Sequence, residues 1–112
     1  MPQPHRMRLR PPWEQTRQGD QMLWRRRFGK PSNIEEGEQV FLVIESPQID
    51  AVVLLNGQRL RRIQPAEPAV RFAITRLLQP RNELVLAAAS TQSATPEESS
   101  ALPFGEVRLE IE

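Results

Sequence analysis

Cysteine and tyrosine are absent from this 112-residue chain, histidine occurs once, and aromatic residues make up only 5%. Without cysteine there can be no disulfide framework, thiolate metal centre or cysteine nucleophile, and the redox compartment leaves no trace. His5, alone in a Pro-rich opening stretch, cannot supply a histidine metal cluster and gives no basis for a Ser-His-Asp triad. The five glycines are scattered singly, so no Gly-rich phosphate loop can be drawn. No apolar run is long enough for a membrane-crossing helix, and MPQPHRMRLRPPW lacks the apolar core of a signal peptide. No membrane partner is expected, and no cellular address is legible.

What the chain does have is proline, 11 residues of it, and a series of short apolar runs bounded by turn residues. A hydrophobic fraction of 38% with 26% charged residues is ordinary for a soluble globular chain, and the length suits one core. Candidate strands fall at 22–28 (MLWRRRF), 38–45 (EQVFLVIE), 50–55 (DAVVLL), 58–63 (QRLRRI), 69–74 (AVRFAI), 82–89 (NELVLAAA) and 105–112 (GEVRLEIE). In 38–45, Val40, Leu42 and Ile44 share one face and Phe41 and Val43 the other, which predicts a central strand covered on both sides. In 105–112, Val107, Leu109 and Ile111 point inward while Glu106, Arg108, Glu110 and Glu112 point outward.

Between DAVVLL and QRLRRI stands Asn56-Gly57, the strongest short-range hairpin signal in the chain. A two-residue type I′ turn needs positive φ at both central positions, which Asn and Gly tolerate best, so these residues are read as geometry and not as a ligand site. TRLLQPRN allows no more than a single helical turn, with Thr75 as its cap. Residues 1–12 read as a mobile basic tail and 13–112 as one sandwich domain with a mobile Ser-rich loop at 90–103. The spacing of turn signals predicts an all-β chain of at least six strands in two sheets.

Charge is distributed unevenly. Residues 1–30 carry eight basic side chains against Glu14 and Asp20, a surplus of six, while the remainder carries seven basic and twelve acidic residues. A nucleic-acid footprint is one reading of such polarity. Strand alternation opposes it, because Arg25 and Arg27 must share one face and Arg26 the other, and only weak, nonspecific nucleic-acid binding is expected.

The order of segments resembles the N-terminal sugar-binding domain of family 2 glycoside hydrolases, the β-galactosidase and β-glucuronidase relatives. The matching positions are Trp24, Phe28, Pro31, Asn56, Gly57, Phe72, Ile74, Thr75, Leu77, Leu78, Pro80, Asn82 and Leu84, within about residues 22–89. The resemblance implies a jelly-roll-like β-sandwich of the galactose-binding-domain-like type. It imports no catalysis, since in that family the acid and nucleophile belong to a separate barrel domain. The two carboxylate clusters here, Glu35-Glu36-Glu38 and Glu97-Glu98, lie in polar turn segments.

The chain is therefore expected to be a non-catalytic module with a carbohydrate or a protein as partner, and no specific nucleic acid. No cofactor is expected, although oxygen-only Ca²⁺ binding stays open because carbonyl ligands leave little trace in a sequence. Where the family usually places Gly and aromatic residues after the hairpin, this chain has RRIQPAEP. Specific contacts are expected from that loop, at Arg61, Arg62, Gln64 and Glu67, and from Trp13, the better of the two tryptophans for an exposed surface. Trp24 reads as core.

Overall fold

Each apolar run picked out from the sequence becomes a strand. The computed structural model describes residues 5–10, 13–31, 34–65, 67–89 and 104–112; the Ser-rich segment 90–103 lies outside them. Among the described residues the strands are β1 (His5–Arg8), β2 (Glu14–Gln18), β3 (Gln21–Gly29), β4 (Val40–Glu45), β5 (Ala51–Leu55), β6 (Gln58–Ile63), β7 (Ala69–Ala73), β8 (Arg81–Ala89) and β9 (Val107–Ile111). They form a four-stranded sheet, β1-β9-β4-β7, and a five-stranded sheet, β2-β3-β8-β5-β6. All pairings are antiparallel. One 3₁₀ turn, Thr75–Leu77, is the only helical element among the described residues.

The two sheets bury their inner faces against each other. Val40, Leu42, Ile44, Val107 and Leu109 of one sheet meet Trp24, Val53, Leu55, Leu84 and Leu86 of the other in a single apolar cluster. Period-two alternation makes this possible, because every second residue of each strand reaches the same interior. Trp24 is buried in that core, as its place in the strand predicts.

At the hairpin, Asn56 has φ 53° and Gly57 has φ 82°, the doubly positive pattern of a type I′ turn. β6 then carries a bulge: Leu54 faces Arg59 and Val53 faces Arg61, so Leu60 is the extra residue. The added residue lets Leu60 pack against the core while Arg61 stays exposed.

Three features depart from the sequence reading. His5–Arg8, assigned to a mobile tail, pairs with β9, and Leu9 is buried in the core with its N–H donating to the Val107 carbonyl at 2.8 Å. Met7 and Leu9 alternate with arginines there, a strand pattern obscured by its Pro-rich, basic surroundings. β2 is a second unanticipated strand; its residues are mostly exposed, so an edge strand without apolar alternation gave no periodic signal. Its connection to β3 is the two-residue Gly19-Asp20 loop, where only Gly19 has positive φ (60°), as a II′ hairpin requires. Thr75 does not cap the 3₁₀ turn; its hydroxyl accepts a hydrogen bond from the Val40 N–H at 2.8 Å, satisfying the backbone where β4 begins.

The outer face of the four-stranded sheet shows how β4 is covered on both sides. Val43 is 2% exposed, although it lies on the outer face of its sheet, away from the core cluster. Its cross-strand neighbours are Arg71 and Arg108. Arg108 donates to Glu110 at 2.7 Å and also to Glu45, while Arg71 lies 3.4 Å from Glu110, bonds Glu112 at 2.7 Å and stacks over the Phe41 ring at 3.7 Å. The arginine stems supply the apolar cover and the carboxylates fix the heads. The hydrogen bond from Arg108 outweighs the opposing effect of burial and holds the Glu110 carboxyl below its ordinary range.

Two outcomes test this account. Gly57→Val should cost about 1–2 kcal/mol or more in denaturant unfolding, since a β-branched residue resists positive φ even though space there is open. For Glu110 the depressed folded pKa means that its stabilisation is complete above the unfolded value of about 4.3 and is lost as pH falls through the lower folded value. Glu110→Gln should therefore lose about 1–3 kcal/mol at neutral pH and show a flatter acid dependence than the wild type. An unchanged acid profile would show that the ion lattice does not carry this stability.

Candidate functional site

Sequence reading brought five residues together as a candidate binding site, and the fold joins three of them, Arg61, Gln64 and Glu67, while Arg62 and Trp13 lie apart. Arg61 bonds Glu67 at 2.7 Å, and the same carboxylate accepts the Gln64 N–H at 2.8 Å, so the loop after β6 closes on itself. Arg62 turns away and grips both Asp50 oxygens through its Nε and Nη2, with Nε to Oδ1 at 2.6 Å. That hydrogen bond holds the Asp50 carboxyl below its ordinary range and raises Arg62 above its own.

Trp13 precedes β2, at the opposite edge of the five-stranded sheet from β6. Four strand spacings, about 19 Å, separate the two edges. The Trp13 ring meets Phe104 edge to face, with centroids 5.1 Å apart, and packs against the core. It closes the open margin of the sandwich beside Leu9.

Polar side chains converge elsewhere, in a shallow depression of about 530 Å³ lined by Arg27, Gly29, Asn56, Arg81, Asn82 and Glu83, with buried Phe28 beneath. β3 and β8 lie side by side here, and the β5–β6 turn reaches across to β8. Asn56 is more than a turn residue. Its N–H donates to the Glu83 carbonyl and its Oδ1 accepts from the Glu83 N–H, both at 2.9 Å, which extends the β5–β8 pairing into the turn. Its Nδ2 donates to the Leu77 carbonyl at 3.1 Å and to Asn82 Oδ1 at 3.0 Å. Asn82, 3% exposed, also accepts from the Gln79 N–H and donates to the Gln79 carbonyl, both at 2.8 Å, and to the Phe28 carbonyl at 3.5 Å.

Around this saturated floor stand arginines. Arg25 and Arg27 lie on one face of β3, and their Nε atoms are 3.3 and 3.5 Å from the same Glu83 oxygen. Arg25 also pairs with Glu14 at 3.1 Å. Arg26 points the other way and donates to the Arg10 carbonyl at 2.8 Å, which divides the arginine run between two faces as alternation predicts. No local sequence signal marks this place, because residues 27–29, 56 and 81–83 meet only through the strand order.

Other chemistry finds few parts. Glu38 accepts the Glu35 N–H at 2.7 Å and closes a turn, while Glu97 and Glu98 lie outside the described residues. Among the described residues there is no group of three or more His, Asp and Glu able to hold a metal, and no helix long and apolar enough to cross a membrane.

No protein-family model and no curated protein matches the chain. Solved structures do. An FMN-binding β-glucuronidase from Faecalibacterium prausnitzii aligns over 81% of this chain at 24% identity with a TM-score of 0.60. A Bifidobacterium dentium β-glucuronidase aligns over 81% at 20% identity and 0.60. A Dictyoglomus thermophilum β-D-glucuronidase aligns over 96% at 10% identity and 0.74. The chain spans 15%, 21% and 28% of the respective partners. These neighbours are the enzymes to which the segment order pointed, and at such identities what is shared is the fold: a two-sheet β-sandwich that forms a minor part of a β-glucuronidase chain.

The Asn82 hub yields a prediction. Asn82→Ala leaves Asn56 Nδ2 and the Gln79 backbone short of partners, and should lower unfolding free energy by about 2–4 kcal/mol in a denaturant titration. A loss below about 0.5 kcal/mol, the range of ordinary surface substitutions, would mean that the network is replaceable by water.

Proposed function

We propose that the chain is a non-catalytic, carbohydrate-associated β-sandwich module of the kind that accompanies a glycoside hydrolase's catalytic part. The observation that carries this reading is the mismatch of coverage: at least 81% of this chain matches at most 28% of the three β-glucuronidases.

A second reading, a protein-interaction module, is favoured by the outer face of the five-stranded sheet. Leu23, Ala87 and Val52 form one cross-strand row, and Val85 and Leu54 a second beside it. Val52, Leu54 and Val85 stay partly exposed, and this aliphatic band lacks the ion lattice that seals the other sheet. Apolar surface of this kind marks contact sites.

The test combines turnover with binding. Aryl glycosides should not be hydrolysed, and a panel of oligosaccharides should shift amide resonances around Asn56, Arg81 and the Gln64–Glu67 loop with dissociation constants of about 1 mM or weaker, since few aromatic platforms are available. Turnover above background would overturn the non-catalytic reading. Shifts absent for every sugar, with the Val52–Leu54–Val85 band responding to a protein partner, would select the interaction module.

A further inference from the structure

We infer that the depression between β3, β8 and the Asn56-Gly57 turn recognises an oxyanion, a sulfate group, carried on a saccharide. This rests on the carbohydrate-associated reading above and makes the ligand more specific. The argument is one of hydrogen-bonding capacity. Both hydrogens of the Asn56 amide and both of the Asn82 amide are committed within the fold, and each amide oxygen already accepts at least one bond. The floor therefore has no side-chain amide donor left for a sugar hydroxyl.

What remains available is guanidinium. Arg27 is 77% exposed and its single carboxylate contact is long, 3.5 Å through Nε, while Arg81 has no ion-pair partner among the described residues. Glu83, the one carboxylate in the depression, is already shared by Arg25 and Arg27. Three guanidinium groups, Arg25, Arg27 and Arg81, thus face two carboxylates, Glu14 and Glu83, and Lys30 follows directly on β3. A surplus of forked donors selects a planar or tetrahedral oxyanion over a neutral hydroxyl.

Shape supports a ligand larger than a free ion. Arg81 lies opposite Gly29 in the β3–β8 register, and the missing side chain leaves the hollow beside Arg81 open. A volume of about 530 Å³ lies within the range of small-ligand sites. Phe28 is 7% exposed and offers no stacking face, so a sugar ring alone has little to hold it and the anionic group must orient it.

Gly29 also provides a test that leaves every charge in place. Its φ is not in the left-handed region, and an added Cβ would meet only the Pro80 carbonyl at 3.9 Å, an ordinary contact. Gly29→Val should therefore fold and fill the hollow, while Arg81→Gln removes a cation that has no ion pair among the described residues. Isotope-labelled protein would be titrated at low salt with a sulfated disaccharide, with its unsulfated parent and with sodium sulfate. The amides of Gly29, Arg81 and Glu83 should move with the sulfated disaccharide, and both the parent sugar and sulfate ion should bind at least about tenfold more weakly. Each variant should weaken the sulfated ligand about tenfold or more without altering the unfolding midpoint. Equal binding of parent and sulfated sugar at these amides, insensitive to Arg81→Gln, would overturn the oxyanion site while leaving the carbohydrate module intact. Sulfate ion matching the sulfated disaccharide would overturn the saccharide half of the inference. Silence of these amides toward all three, with neutral oligosaccharides bound elsewhere, would overturn the site alone; silence toward every sugar would remove the module reading with it.

Discussion

The contact between the side-chain amides of Asn56 and Asn82 fixes the end of the sandwich at which the candidate site lies. The β5–β6 turn, β8, the 3₁₀ turn with the residues after it and the end of β3 meet at this pair, through the Leu77, Gln79 and Phe28 carbonyls and the Glu83 backbone. A buried amide is tolerable only when its donors and acceptors are matched, because the low-dielectric interior penalises each one left over. Matching demands that four segments arrive in one arrangement, and so the polar pair specifies geometry that aliphatic packing would leave free to slide. The same saturation explains why the depression above it presents arginines and little else.

The two outer faces of the sandwich solve the problem of solvent in opposite ways. On the four-stranded sheet, alternating arginines and glutamates lie across Val43 and Phe41, so Val43 is dry although it faces away from the core. Such a lattice uses the stems of long side chains as a third layer. On the five-stranded sheet the charges collect at the sides, Arg25 and Arg27 on β3 and Arg59 and Arg62 on β6, with aliphatic side chains between them. One face carries an ion lattice across its apolar residues, and the other keeps part of its aliphatic surface exposed.

The sandwich was legible where apolar residues alternate against polar ones over several positions, as in β4 and β9, and where Asn-Gly demanded a doubly positive turn. Legibility failed where alternation is absent or hidden by its surroundings. β2 is an edge strand with nothing to bury, and its Gly19-Asp20 loop was its only local mark. β1 hides Met7 and Leu9 among arginines and prolines. The candidate site was less legible still, for a geometric reason. Arg61, Gln64 and Glu67 are neighbours in sequence and do meet, but their charges are spent on one another. Trp13 and β6 lie at opposite edges of one sheet, a separation that only the strand order reveals. Asn56 was correctly read as a turn former, and its partnership with Asn82, 26 residues away, has no signature in either local window.

The place of β9 has a consequence for how the molecule comes into being. Among the described strands β9 comes latest in sequence, yet it lies between β1, the earliest of them, and β4, with His5 opposite Ile111. Until β9 has been synthesised, the four-stranded sheet consists of β4 and β7 alone, and β1 has no neighbour to pair with. The five-stranded sheet is complete once β8 has emerged, but its apolar inner face then waits for the residues that close the sandwich. Contacts of such long sequence separation form slowly. A nascent chain released from the ribosome before residue 107 is thus a half-sandwich with one sheet uncovered, the kind of intermediate that aggregates or engages chaperones. The four-stranded sheet is joined only when β9 enters between β1 and β4, both made well before it.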